Sequence, residues 1–270
     1  MQEVRKKVGL GEALLPNKKA DIDTIGSHLA RYAFAAGFVK GKVVLDVASG
    51  CGYGSSYLSD KGARAVIGGD ILAEQIEAAQ KYYGREGVEF LLLDATRLPF
   101  ADNSFDAVVS METIEHLEQY QDYLSECKRV LKEGGLFICS TPLKYHDIPE
   151  PAKPNPYHAH EFYIDEFQEL LSRFFTEVQL YGQGYWGKVA KTRHRIGLKI
   201  ERALERFDFF LPQLYLSINK LLYSRLISRV RYTQLSQIAD FDKILDEKHK
   251  PFPLVGSSLT PICVIAVARK

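Results

Sequence analysis

The sequence predicts an α/β fold: a Rossmann-like, mostly parallel seven-stranded sheet with helices on both faces and a helical insertion before the last strand. Three observations carry this expectation. Short apolar, β-branched runs recur along the first half of the chain, as buried strands do. Segments with helical spacing separate them, and such alternation argues for a parallel sheet covered on both faces. Asp46, Asp70 and Asp94 stand at the ends of the first three runs, the edge where an open α/β sheet collects its ligands.

The elements follow in order. Residues 43–47 read Val-Val-Leu-Asp-Val, a first strand, and a glycine-rich turn leads from it into a helix that begins near Ser55. Residues 65–70 form a second strand ending in Asp70, and residues 72–83 are rich in Ala, Glu, Gln and Lys and read as helix. Residues 88–93 and 105–110 are the third and fourth strands. Residues 118–131 are an amphipathic helix closed by Gly134-Gly135, and residues 136–140 a fifth strand stopped by Thr141-Pro142. After a Pro/His loop at 142–160 come a helix at 164–172, a strand near 175–181 and a last strand at 262–268.

Composition excludes several classes. The 270 residues are 46% hydrophobic and 26% charged, as in globular proteins. No apolar run approaches the roughly 18 residues of a membrane span, and the start lacks the apolar core of a secretory signal. Cys51, Cys127, Cys139 and Cys263 are scattered, so they are expected to be reduced, buried thiols of a cytoplasmic protein. A net charge of +1 hides an asymmetry: residues 188–231 hold 11 Lys/Arg against 3 Asp/Glu. The chain divides accordingly into an N-terminal helical cap at 1–40, a core at 41–181 plus 251–270, and a basic helical insertion at 182–250.

The turn Ala48-Ser49-Gly50-Cys51-Gly52-Tyr53-Gly54 lets backbone approach a ligand closely. The third glycine falls at the wrong spacing for a dinucleotide fingerprint, and the Gly-Lys-Ser/Thr of a phosphate-binding loop is absent. The stretch VVLDVASGCGYGSSYLS instead resembles the first motif of class I S-adenosylmethionine-dependent methyltransferases. GGDIL, LLLDATRLPFADNSFDAVVSMETIEHL and LKEGGLFICSTP resemble their later motifs, in order, over about residues 40–180 and again at 261–268. The resemblance implies S-adenosylmethionine as cofactor. It implies backbone contacts from Ala48, Gly50 and Gly52 to the methionine part, with Asp46 holding the turn or the amino group. It implies that Asp70 takes the ribose hydroxyls, that Ile71 packs on adenine, and that Asp94 and the Ala95 N–H face the ring. Met111 is implied near the methionine chain. His28-Leu-Ala-Arg31-Tyr32 resembles the helix that covers the cofactor, with Arg31 the planar cation for its carboxylate. One position departs from the family pattern: Ala48 stands where glycine is usual.

Transfer to a hydroxyl needs positioning and a base or a metal. The string Met111-Glu112-Thr113-Ile114-Glu115-His116 is the first place to look. On a helical turn Glu112, Glu115 and His116 share one face, able to hold a divalent ion such as magnesium. Alternatively His116 is a metal-free base with Glu115 beside it, or the residues are structural. The string resembles the metal-binding turn of ubiquinone-biosynthesis O-methyltransferases and small-RNA 2′-O-methyltransferases, and also occurs in relatives without a metal. The loop Asn155-Pro156-Tyr157-His158-Ala159-His160 resembles one in methyltransferases encoded with glycan enzymes, and supplies His158 or His160 as a further catalytic or ligating group.

In the insertion, Arg195, Lys199, Arg202 and Arg206 recur at helical spacing. They read as a solvated face, or as a platform for an anionic acceptor or anionic membrane surface. The expected function is O-methylation of a hydroxyl on a glycan, glycolipid or other small molecule, with a lipid-linked acceptor and peripheral membrane contact among the partners. An RNA 2′-O-methyltransferase and a non-catalytic cofactor-binding module are the alternatives; nucleic acid ranks low, because the body of the chain is acidic and carries no recognisable RNA-binding module.

Overall fold

The structure is a computed structural model that describes residues 19–145, 155–185, 232–234, 251–254 and 261–270. The basic stripe at Arg195, Lys199, Arg202 and Arg206 lies outside the described residues, as does nearly all of the expected helical insertion.

A short strand β1 (Lys19–Asp21) pairs with β9 (Tyr232–Gln234) and precedes the long helix α1 (Ile22–Val39). The central strand β2 (Val43–Val47) carries the glycine turn and then helix α2 (Tyr53–Asp60). Strand β3 (Ala65–Asp70), helix α3 (Ala73–Tyr83) and the edge strand β4 (Val88–Leu92) follow. Beyond β5 (Phe105–Met111) a single 3₁₀ turn (Ile114–His116) leads to helix α4 (Tyr120–Val130) and strand β6 (Leu131–Lys144). The remaining elements are β7 (Phe162–Tyr163), helix α5 (Ile164–Phe174), β8 (Thr176–Tyr185), β10 (Phe252–Pro253) and β11 (Pro261–Arg269).

The main sheet runs β10-β8-β11-β6-β5-β2-β3-β4. From β6 to β4 every pairing is parallel, while β11 is antiparallel to both β6 and β8. Without the two-residue strands β7 and β10 this is the expected seven-stranded sheet. A parallel central strand is covered on both faces, which is why β2 is an unbroken apolar run apart from Asp46, with four of its five residues buried. Two core layers result. Leu45, Val108, Tyr123, Phe137 and Phe167 pack on one face with helices α4 and α5, and Val44, Val109, Leu29 and Leu58 pack on the other with α1 and α2. The four cysteines are free and buried. Among the described residues no helix is long and apolar enough to cross a membrane.

Close approach sets the geometry of the turn after β2. Gly52 has φ +86°, and a Cβ there would meet the Phe90 ring. At Gly54 a Cβ would run into the ring of Tyr32, so the absence of a side chain is what lets α1 lie against α2. Ala48 also sits in the left-handed region, at φ 57°, and this is the position where the resemblance expects glycine.

The left-handed conformation costs a non-glycine residue about 1–2 kcal/mol, partly offset by the smaller entropy that alanine loses on folding. Ala48→Gly should therefore raise the unfolding free energy by roughly 0.5–1 kcal/mol in urea titrations. An equal loss of stability would mean that packing of the Ala48 methyl outweighs its backbone strain.

Candidate active site

The carboxyl edge of the parallel strands opens into a cavity of about 570 Å³. One end is built from the glycine turn and the ends of β3 and β4: Ala48, Ser49, Gly50, Asp70, Ile71, Leu93, Asp94 and Ala95 line it. The other end is built from the segment after β5 and the loop before β7, through Glu112, Glu115, His116, Asn155 and His158. Met111 and His28 also line the wall.

Asp70 ties the first end together. Its carboxylate accepts the Gly50 N–H at 2.9 Å and the Leu72 N–H at 3.0 Å, joining the turn to the entrance of α3. Burial raises its pKa against the pull of those N–H donors. Ile71 follows it with 48% of its surface exposed, an apolar side chain presented on the cavity wall. Asp94 folds its own turn, accepting the Thr96 N–H and hydroxyl.

Asp46, Gly52 and Arg31 do not line the cavity. Asp46 is fully buried beneath the turn, where one carboxylate oxygen accepts the Ser55 hydroxyl at 2.6 Å and the other accepts Tyr32 at 3.2 Å. Of the two roles the resemblance implies, holding the turn fits this geometry. Burial moves its pKa up to about 7, against those two hydrogen bonds. Arg31 lies behind the wall. It donates through Nε to Gln183 at 2.7 Å and pairs through Nη2 with Glu112 at 3.4 Å, while its buried Nη1 has no partner among the described residues. Gln183 in turn donates to the Ser27 carbonyl, so α1, β8 and the segment after β5 meet in one network.

The expected trio of Glu112, Glu115 and His116 is divided by the fold. Glu112 is not on the helical turn; it follows β5 directly with φ 51°, its N–H held by the Ser140 carbonyl and its carboxylate by Arg31 and the Ser140 hydroxyl. Burial opposes its charge, but Arg31 and His28 outweigh it and the pKa is lowered. Glu115 begins the next turn and is buried, with Thr141 donating to its carboxylate at 3.1 Å. Burial, and then the Glu112 charge, hold its pKa well above the usual carboxylate range. The residues that converge are Glu115, His116 and His158, whose ligating atoms lie within 4.8 Å of one another. His160 turns away to Glu166 at 2.9 Å.

Hydrogen bonding places a proton on Nδ1 of both converging histidines. His116 Nδ1 lies 2.9 Å from the Tyr157 carbonyl, which can only accept, so Nδ1 carries a proton and the neutral ring has its lone pair on Nε2. Nε2 stands 3.9 Å from the Glu115 carboxyl. His158 donates from Nδ1 to Glu161 at 2.7 Å, and its Nε2 accepts from the Asn155 amide at 3.0 Å. The Asn155 orientation is set by the Tyr157 N–H on its carbonyl oxygen. The loop is clamped to the turn, since the Ala159 and His160 N–H groups both donate to the Glu115 carbonyl.

Several working residues escaped the sequence reading. Tyr32 and Ser55 as partners of Asp46, Glu161 as partner of His158, and the Tyr157 carbonyl all depend on distant segments meeting. Ser49 and Gln75 line the cavity, are nearly fully buried, and carry side-chain polar atoms without a partner among the described residues. Gln75 lies one turn after Asp70 on the expected helix, and that spacing was the available signal.

The buried Asp46 gives stability a pH dependence. Its folded pKa of about 7 stands above the unfolded value, so its contribution is present below about pH 4 and lost as pH rises through 7. At roughly 1.4 kcal/mol per unit, the span is on the order of a few kcal/mol. In Asp46→Asn, the fall in unfolding free energy between pH 5 and pH 8 should be shallower than in the parent chain. An unchanged slope would assign the dependence to other buried acids.

Residues 45–139 match the family model described as a methyltransferase domain. A probable S-adenosylmethionine-dependent methyltransferase of Mycolicibacterium smegmatis is 34% identical over 170 residues, 63% of this chain and 65% of that protein. A fatty-acid O-methyltransferase of the same organism is 37% identical over 113 residues, 42% of this chain and 41% of that protein. These matches span less than two thirds of the length of the curated relatives. The fold is shared with a Thermotoga maritima structure described as an S-adenosylmethionine-dependent methyltransferase, possible histamine N-methyltransferase. Its TM-score is 0.56 at 15% identity, and the match covers 92% of this chain and 91% of that one. The glycine turn, the strand order and these matches give the chain the fold of the class I S-adenosylmethionine-dependent methyltransferases, with residues 45–139 matching a methyltransferase domain.

Proposed function

We propose that this chain transfers a methyl group from S-adenosylmethionine to a hydroxyl of a small molecule, glycan or glycolipid, with His116 as the base. The observation that carries this reading is the His116 tautomer: an imidazole whose Nε2 lone pair stands on the wall of a cavity that continues to the glycine turn. The cavity suits the cofactor, since Asp70 and Asp94 offer acceptors at its first end, Ile71 an apolar face, and Ser49 and Gln75 unpaired polar atoms. Bound there, the cofactor supplies an electrophilic methyl on a sulfonium. Ala48, Ser49 and Gly50 line the wall by the methionine part, Met111 packs beside it, and Asp70 accepts from the ribose. Arg31 acts through Glu112, which it keeps charged at the boundary between cofactor and acceptor.

On the acceptor side, His116 Nε2 takes the hydroxyl proton as the new oxygen–carbon bond forms. Neutral Glu115 at 3.9 Å adds no negative charge that would hold the imidazole back as a proton donor. His158, pinned by Asn155 and Glu161, shapes the pocket against the His116 ring, 5.1 Å away between centroids. The relatives whose names specify an acceptor include a fatty-acid O-methyltransferase and a phthiotriol/phenolphthiotriol dimycocerosates methyltransferase, and both names support a lipid-type acceptor.

One observation favours a second reading. Glu115, His116 and His158 could hold a divalent ion. Two imidazoles and one carboxylate suit a borderline transition ion better than magnesium. Binding would require Glu115 to ionise and Asn155 to release His158, and those costs favour the metal-free base.

Asp70→Ala, if folded, should lose roughly 1.5–3 kcal/mol of cofactor affinity in calorimetry, the range for hydrogen bonds to a charged group. Unchanged affinity refutes the ribose assignment.

Labelled methyl transfer into fractionated cell extracts, with the product identified, tests the activity itself. Once an acceptor is known, His116→Ala should slow turnover on the order of 10²–10⁴-fold, and chelators should leave the parent rate unchanged. Loss of turnover with chelator, restored by added metal, would replace the base with the ion. Cofactor binding with no labelled product in any fraction would favour a binding module.

A further inference from the structure

We propose that Asn155 is a positioning residue for the base: through the turn it closes around Tyr157, it fixes which nitrogen of His116 keeps its lone pair. This rests on the reading of His116 as the base. The sequence Asn155-Pro156-Tyr157-His158 builds the device locally. Proline presets the backbone angle at the second position of a turn, and asparagine before it can close the turn with its side chain as well as its backbone. Both closures are present. The Asn155 carbonyl accepts the His158 N–H at 3.2 Å, and the Asn155 side-chain oxygen accepts the Tyr157 N–H at 3.0 Å. In a planar trans peptide the N–H and the C=O point opposite ways. The His158 N–H points into the turn, so the Tyr157 carbonyl of the same peptide points out of it, to His116 Nδ1 at 2.9 Å.

The hydrogen bonds around Asn155 run in one direction, starting from Glu161. An ionised carboxylate only accepts, so His158 donates to Glu161 from Nδ1 at 2.7 Å, and the neutral His158 ring has its lone pair on Nε2. That lone pair takes an N–H of the Asn155 amide at 3.0 Å, which turns the amide oxygen to the Tyr157 N–H. A flipped amide would set its oxygen against the lone pair and its N–H against the Tyr157 N–H. His158 is therefore a brace for Asn155, and the lone pair offered to the acceptor belongs to His116. The bond made by one ring nitrogen decides the state of the other. Without the Tyr157 carbonyl in place the His116 proton can move to Nε2, and the neutral ring then has no lone pair for the acceptor hydroxyl. Docking of the loop does not need the Asn155 side chain, because the Ala159 and His160 N–H groups bind the Glu115 carbonyl directly.

Nitrogen NMR of the full chain carrying isotope-labelled histidine reads the tautomer without an acceptor. The spectra are taken in alkaline buffer with a chelator, so that the ring is neutral and no ion competes for Nε2. With its signals assigned by their loss in His116→Gln, His116 of the parent should carry its proton on Nδ1. Asn155→Asp keeps an oxygen for the Tyr157 N–H and should keep that state. Asn155→Ala removes the oxygen, and most of the His116 signal should shift to the Nε2-protonated form. Asn155→Gln keeps an amide on a chain too long to close the same turn, and should behave as Asn155→Ala does if the alanine variant fails to fold. Once an acceptor is known, kcat of Asn155→Ala should fall roughly 10–10²-fold, part of the contribution of a general base, with KM for the cofactor unchanged. A folded Asn155→Ala or Asn155→Gln in which His116 keeps its proton on Nδ1 overturns the inference. So does a parent with that proton on Nε2, or an Asn155→Asp that loses the state as completely as Asn155→Ala. Failure of the base reading shows separately, as full turnover in His116→Ala while the tautomers follow the expected pattern.

Discussion

A fully buried carboxylate, Asp46, joins the pieces on which the rest of the site depends. It ends the central strand, takes the Ser55 hydroxyl from the helix after the glycine turn, and takes the Tyr32 hydroxyl from the helix that covers the cavity. Tyr32 can reach it only because Gly54 leaves room for the ring. Cap, turn and sheet therefore share one anchor. The arrangement has an electrostatic cost, because burial disfavours the Asp46 charge, and the two hydroxyl hydrogen bonds only partly offset it. A neutral side chain would be cheaper to bury, but as an acceptor-only group the ionised carboxylate can take a hydroxyl on each oxygen. The backbone of the turn is thereby fixed in its ligand-facing shape before any ligand arrives.

The acceptor end shows the same economy of charge. Glu112 and Glu115 are three residues apart and both buried from solvent to a large degree, so they cannot both ionise without a partner. The fold gives the only contacting guanidinium among the described residues, Arg31, to Glu112. Glu115 is left with Thr141 and a raised pKa. Two carboxyls of one type are thus driven apart, one pKa lowered by Arg31 and the other raised by burial, and the distinction comes from which residue the left-handed backbone at Glu112 turns toward α1.

This division explains what could be read from the sequence. The strands and the glycine turn were legible because each follows from local patterns: β-branched runs, acids at strand ends, glycine where backbone must come close. The place of Asp70 and Asp94 on the cavity edge was legible for the same reason, being tied to strand termini, whereas Ile71 came from the resemblance. The grouping of Glu112, Glu115 and His116 was not, because it assumed a helix continuing from Met111. The chain instead makes a left-handed step at Glu112 and a single 3₁₀ turn, and neither the step nor its stabiliser Arg31, some eighty residues upstream, has a local signature. His158 entered the site through contacts of the 155–161 loop with the Glu115 carbonyl, again a long-range pairing. Ala48 shows the converse case. The sequence marked it as a departure from glycine, and the structure keeps the left-handed conformation there rather than relieving it.

The unpaired polar atoms connect stability to function. Asp46 and the apolar core hold the cavity open in a fixed shape, but Ser49 and Gln75 on its wall carry buried polar atoms with no partner among the described residues, which is costly in the absence of a ligand. Ile71 adds exposed apolar surface at the same place. A ligand that pairs those polar atoms and covers Ile71 would relieve all three on binding the folded state. Such a ligand stabilises the fold in proportion to the logarithm of its concentration over its dissociation constant. Affinity here arises partly from costs the fold has already accepted, and those costs are concentrated at the cofactor end. At the acceptor end the polar groups of Glu112, Glu115, His116 and His158 are largely paired within the protein. The two ends are therefore built on different principles: one is completed by its ligand, and the other is organised before the acceptor enters.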